Sequence, residues 1–222
     1  MRLLSSLFIL LIANVLHAQL TIEITQGSDN PFNLGIISQS SIESDSTNIV
    51  ASIIANDLLR TGDITIISEA DPGNISEEDL PFTFWKLMKL DFIAITNLQR
   101  DSDITLKLDY KIYDVSKAKL VRESTVFGVP NQLRQLSHYA ADGIYETVTG
   151  IKGIATTKLI YVVEQNSFQG KNYKLMLADA DGANEQMLLK SDQPIISPAW
   201  SRDSKEVAYV SFETGVAAVY IQ

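Results

Sequence analysis

Apolar and polar residues alternate without a break from Ile104 to Tyr113. Ile104, Leu106, Leu108, Tyr110 and Ile112 fall on one side, with Thr105, Lys107, Asp109 and Lys111 on the other. Successive side chains of a strand point to opposite faces, so this pattern predicts a half-buried strand. Leu120–Gly128, reached through a turn at Ser116–Ala118, is its expected hairpin partner. Phe92–Leu98 is nearly all apolar, which predicts a strand central in its sheet. Gln19–Ile24 alternates Leu20, Ile22 and Ile24 with Thr21 and Glu23, and shorter strands are expected at Asn33–Ser38 and Ile64–Ile67.

Between these strands the period changes. Ile49, Val50, Ile53, Ile54 and Leu58 form one stripe of a helix over Ser44–Arg60, with Ser44 or Ser46 as cap and Gly62 to close it. Leu133, Leu136, Ala140, Ile144 and Val148 do the same over Asn131–Thr149. Pro81 suits the first turn of a short helix running to about Lys89, in which Phe82, Phe84 and Trp85 are expected to pack. Strands and helices sharing residues 19–149 predict an α/β domain with a mixed sheet and flanking helices.

The pattern changes again at Gly150-Ile151-Lys152-Gly153, read as the start of a linker over 150–157. Beyond it only strands are expected: Leu159–Glu164, Tyr173–Ala178, Glu185–Leu189, Glu206–Phe212 and Ala217–Ile221. Ile160-Tyr161-Val162 is echoed 48 residues later by Ala208-Tyr209-Val210. Short strands repeating at that interval mark propeller blades. One or two blades cannot close a ring, so residues 158–222 are expected to be a truncated propeller. The fold class is therefore mixed α+β, an N-terminal α/β domain followed by an incomplete β-propeller of one to two blades.

The first residues address the chain. Met1-Arg2 is a basic start, Leu3–Leu16 an apolar core, and Leu16-His17-Ala18 a cleavage site. This predicts a signal peptide over 1–18, cut after Ala18 and too short to span a bilayer. No membrane span is expected after processing.

Composition mainly excludes. The 222 residues carry 18 basic and 27 acidic side chains, a net charge of −9, which disfavours nucleic acid as a partner. There is no cysteine, hence no disulfide, thiolate metal site or cysteine nucleophile, and the histidines are His17 and His138 alone. A Ser-His-Asp set would need His138, which sits mid-helix and is read as a surface or boundary residue. Asp179-Ala180-Asp181-Gly182 reads as a hairpin turn rather than a calcium loop, Asp101-Ser102-Asp103 as a solvated turn, and Glu77-Glu78-Asp79 as a helix entry. No catalytic, cofactor-binding or metal-ligating residue is expected, and an interaction protein is the default.

Two stretches carry a family likeness. One is Thr149-Gly150-Ile151-Lys152-Gly153 followed by Leu159-Ile160-Tyr161-Val162-Val163. The other is Gln193–Ser201, with its S-P-A-W-S element, continuing through Val207–Glu213. They resemble the hinge, first propeller strand and blade motif of the TolB family. Arg202-Asp203-Ser204 stands where that family typically has Pro-Asp-Gly. Val15–Ala18 and the Trp85 helix leading into Leu90-Asp91-Phe92-Ile93-Ala94 extend the likeness over essentially the whole chain.

The resemblance implies a mixed-sheet domain joined to a six-bladed propeller, located in the periplasm. It further implies a non-enzymatic role in the Tol-Pal system, supporting outer-membrane integrity and envelope constriction at division. It implies that the residues after cleavage bind a TolA-type inner-membrane protein. Here these are Gln19, Leu20, Thr21, Ile22, Glu23, Ile24, Thr25, Gln26, Gly27, Ser28, Asp29 and Asn30. Ile22, Ile24, Gly27 and Asp29 keep the family pattern, whereas Thr21 and Thr25 replace common charges. An alternating strand at a free terminus suits addition to a partner's sheet edge, the alternative being that Gln19–Ile24 pairs within its own domain. A Pal-type lipoprotein is the implied partner of the full propeller, most of which this chain lacks. The alternative is the front portion of an exported propeller-type hydrolase, which a G-x-S-x-G elbow downstream would reveal.

Overall fold

The central strand of the first sheet is buried on both faces, and the residues that bury it define two layers. In the computed structural model, which describes residues 30–40, 44–73, 75–76, 79–168 and 170–222, the first strand is β1 (Phe32–Ser40). It lies parallel to β2 (Ile64–Ile66) and to β3 (Phe92–Arg100). β4 (Leu106–Asp114) and β5 (Lys119–Gly128) add antiparallel, giving the order β2-β1-β3-β4-β5. This is the expected mixed sheet.

Alternate residues of β3 feed different cores. Ala94 and Leu98 pack with Leu108, Ile112, Val50, Ile54, Leu136, Ala140 and Ile144, beneath α1 (Ser44–Arg60) and α3 (Leu133–Thr149). Ile93 and Ile95 pack on the opposite face with Trp85, Ala70, Tyr113 and Val115, beneath the one-and-a-half-turn α2 (Phe82–Leu87). Strict period-two alternation is why one strand can serve both. The α3 backbone comes so close to β4 that a Cβ at Gly143 would stand 2.0 Å from the Tyr110 hydroxyl. Ile104, expected on the buried face of β4, is instead 72% exposed. It lies before the strand, beside the turn that Thr105 closes by accepting the Asp101 N–H at 2.9 Å.

Two antiparallel sheets complete the described chain. β6 (Lys158–Ser167), β7 (Gly170–Asp179) and β8 (Gln186–Ser191) form the first. β9 (Ile195–Trp200), β10 (Val207–Ser211) and β11 (Ala218–Ile221) form the second. Each has three strands. Leu175, Ile195, Val207 and Tyr209 make the core between them, with Ile160, Val162 and Trp200 packed against it. The echoed triplets lie on β6 and β10, each of which opens an antiparallel hairpin with the strand after it. Val216, in the turn before β11, and Val219 and Ile221 on β11 are about two-thirds exposed.

β9 has no counterpart among the strands expected from the sequence. Pro198 argues against a strand interior, but here it sits at an irregularity. Ser197 has φ +52°, and the β9–β10 register shifts between Ala208 and Val210. A bulge absorbs the missing donor.

Candidate functional site

The face of α3 turned away from its sheet meets the first propeller sheet. Arg134, His138 and Asp142 are four apart, so a helix stacks them in one row. Each makes a contact that ties the helix to another element or to the segment beyond it.

His138 is at the centre, only 3% exposed. Its Nδ1 lies 2.6 Å from Asp57 Oδ2 on α1, and Asp57 Oδ1 accepts Arg60 Nη2 at 2.8 Å. On the other side, His138 Nε2 faces Asp181 Oδ2 at 4.0 Å and has no hydrogen-bond partner. Asp181 belongs to the β7–β8 turn, where it pairs with the Arg134 guanidinium and accepts the Ala183 N–H at 3.0 Å. Burial pushes the Asp181 carboxyl up, but the Ala183 amide, Arg134 and His138 outweigh it and leave it below the usual carboxylate range. Asp179 follows the same balance: burial raises it, while Lys158, Asn184 and His138 bring it down.

The segment between the domains is stitched down. Gly150, at φ +76°, closes α3 by donating to the Glu146 carbonyl at 2.8 Å, a left-handed cap that favours glycine. Asp142 Oδ1 then accepts the Ala155 N–H at 2.7 Å. Asp142 Oδ2 accepts the N–H and hydroxyl of Thr156 at 3.0 and 2.7 Å. Gly153 passes so close that a Cβ there would lie 2.6 Å from the Asp142 Cα. The Ala180 N–H donates to the Thr157 carbonyl at 3.1 Å, fixing the start of β6 to the end of β7.

Asp57, His138 and Asp181 each bring one potential ligand atom within 4.8 Å of the others, the donor set that could suggest a metal centre. Their partners argue otherwise. Asp57 faces the imidazole directly, and both carboxylates already carry an arginine. A divalent cation would have to displace or repel both guanidinium groups. The group holds two domains together. A cleft of about 540 Å³ runs alongside, lined by Leu58, Tyr145, Ile151, Ile154 and Leu159 among others.

Of the expected partner-binding residues, Asn30 is exposed just ahead of β1, and Gln19–Asp29 lie outside the described residues, as does the expected signal peptide over 1–18. His138, read from the sequence as a surface or boundary residue, is instead buried together with Asp57. Asp181 does sit in the expected turn, with Gly182 at φ +81°, yet it also reaches across the boundary. Asp57, Arg134 and Asp142 were not anticipated. The signal available was the four-residue spacing of polar groups opposite the apolar stripe of α3.

Two family models match the chain. The model of the TolB amino-terminal domain matches residues 20–121, and that of the TolB beta propeller domain matches residues 145–222. The Tol-Pal system protein TolB of Hahella chejuensis is 35% identical over 218 residues, covering 96% of this chain and 51% of that protein. The Tol-Pal system protein TolB of Bordetella parapertussis is 34% identical over 205 residues, covering 92% and 45%. The crystal structure of TolB from Acinetobacter baumannii superposes with a TM-score of 0.78 at 28% identity, over 90% of this chain and 49% of that one. The chain spans about half the length of the curated relatives it matches.

Proposed function

The chain belongs to the TolB family, and from that premise we propose that it is a periplasmic, non-enzymatic interaction factor of the Tol-Pal system. Its role is to support outer-membrane integrity and envelope constriction at division. The observation that carries this reading is the match of both TolB domain models, in order, to one chain. Among the described residues no helix is long and apolar enough to cross a membrane.

This reading divides the mature chain into three functional units: the mixed-sheet domain at 19–149, the joint at 150–157, and the propeller portion at 158–222. Gln19–Asn30 engages a TolA-type inner-membrane protein by strand addition, in which backbone hydrogen bonds give affinity and Leu20, Ile22 and Ile24 fill alternate pockets. A Pal-type lipoprotein is the partner of the full propeller. Calorimetric titration of a TolA-type periplasmic domain against the chain and against a Δ19–30 variant tests the first contact. Loss of the binding heat with an unchanged circular-dichroism spectrum is expected. Retained binding would sink the assignment of that segment.

A further inference from the structure

His138 occupies a position that a purely packed core residue would not need. Two oxygens of separate elements flank its ring, Asp57 Oδ2 at 2.6 Å from Nδ1 and Asp181 Oδ2 at 4.0 Å from Nε2. The short contact to Asp57 requires a proton on Nδ1, because a carboxylate has none to give. In the neutral ring, Nε2 is therefore a lone pair, buried and without a donor, facing another carboxylate. In the charged ring, Nε2–H points at that same carboxylate, and the contact changes from repulsive to attractive.

We propose that His138 is a proton-sensing joint between the mixed-sheet domain and the first propeller sheet, in which the imidazolium bridges Asp57 and Asp181 and the neutral ring holds Asp57 alone. The groups facing it come from every element packed around it: Asp57 and Arg60 on α1, Arg134 on α3, Lys158 on β6, Asp179 at the end of β7 and Asp181 in the turn beyond. Each carboxylate already has one cation, Arg60 on Asp57, Arg134 on Asp181 and Lys158 on Asp179. The cluster is thus neutral with a neutral ring and carries one positive charge with a protonated one. Imidazole is the side chain that changes charge between pH 5 and 8. A polar cavity of about 170 Å³, lined by His138, Thr156, Lys158, Asp179 and Asn184, adjoins the ring.

The sign is fixed by the geometry. The bridge is complete on the acid side and is lost as pH rises through the titration of the ring, leaving Arg134 to hold the turn. Closing a 4.0 Å separation to a charge-assisted hydrogen bond of about 2.8 Å draws the β7–β8 turn toward α3. The seam is therefore firmer in acid and looser in base.

The chain has no cysteine, so Ser102→Cys and Thr214→Cys, both at exposed positions in the two domains, give a clean spin-label pair. In the mature chain from Gln19, His138 is the one imidazole in the sequence, so its ring protons are followed by NMR without overlap. The label distance distribution is expected to be narrow at pH 5.5 and broader at pH 8.5, with a midpoint that coincides with the ring titration. His138→Gln should fix the distribution at all pH values. Should that variant fail to fold, Asp181→Asn, on the turn, should abolish the pH response of the distances while the ring still titrates. A ring that does not titrate in this range overturns the proposal. So does a distribution that ignores the titration, or a pH response that survives Asp181→Asn.

Discussion

The indole Nε1 of Trp85 donates to the carbonyl oxygen of Ala70 at 2.9 Å, and neither residue has any solvent exposure. This bond joins α2 to the short helical turn at Ser68–Ala70 and closes the second core over β1 and β3. Phe82 meets the same indole edge-on, with ring centroids 5.3 Å apart. Trp85→Phe would keep an aromatic ring but leave a smaller one and an unpaired buried carbonyl. The two effects together should cost about 2–4 kcal/mol, measured as a fall in the urea midpoint followed by circular dichroism. A loss below about 0.5 kcal/mol would mean that this layer is not part of the cooperative core.

Ser204 occupies the left-handed region at φ +57°, in the turn where the family commonly places glycine. The turn survives because Ser201 Oγ accepts the N–H groups of Lys205 and Glu206 at 3.2 and 3.0 Å. A side chain in that region costs roughly 1–2 kcal/mol, of which glycine's extra chain entropy returns part. Ser204→Gly should therefore raise stability by about 0.5–1 kcal/mol in urea unfolding. A destabilised variant would show that the serine side chain contributes more than its backbone strain removes.

Asp114 ends β4 and organises the hairpin to β5. Its Oδ1 accepts the Ser116 hydroxyl at 2.6 Å and the Lys117 N–H at 3.0 Å, and its Oδ2 accepts Lys117 Nζ at 2.6 Å. The Lys117 and Ser116 side chains hold the carboxyl well below its usual range, against burial, which raises it. A folded-state value below the unfolded one contributes stability above roughly pH 4 that is lost as pH falls toward the folded value. Asp114→Asn should thus be less stable than the parent at pH 7, with the difference shrinking steadily between pH 4 and pH 2. Urea midpoints across that range decide it, and a gap independent of pH would place the effect in geometry rather than charge.

Periodicity made the described elements between Phe32 and Thr149 legible because one face or two faces of each element are covered by apolar groups. β3, β4, α1 and α3 all fall close to where alternation or helical spacing placed them. β9 was hidden by Pro198, whose missing donor is tolerated only because the strand is bulged there. The joint was hidden for a different reason. Asp57 and His138 are 81 residues apart, and periodicity states which side a residue faces, not which distant residue it will meet. Asp181 could be read as a turn former from its neighbours, and nothing local marks its reach toward Arg134 and His138. Gly150–Gly153 reads from the sequence as the start of a linker, and nothing local marks Asp142, eight residues upstream of the first glycine, as the acceptor for Ala155 and Thr156.

Asp142 supplies the last prediction. Its two oxygens accept three hydrogen bonds from Ala155 and Thr156, and the exposed Lys152 lies in the segment that those bonds restrain. A protease needs about the whole local segment extended before it can cut, so cleavage there reports the free energy of local opening. A hydrogen bond to a charged acceptor is worth roughly 1.5–3 kcal/mol, and about 1.4 kcal/mol is tenfold in an opening equilibrium. Asp142→Ala should therefore raise the rate of trypsin cleavage after Lys152 by at least about tenfold under conditions where the parent is cut slowly. Asp142→Asn keeps one carbonyl acceptor and should fall between the two. Cleavage at other exposed lysines, such as Lys117, should not change. Equal rates after Lys152 in all three proteins would mean that the glycines and the Ala180–Thr157 bond hold the segment without the carboxylate.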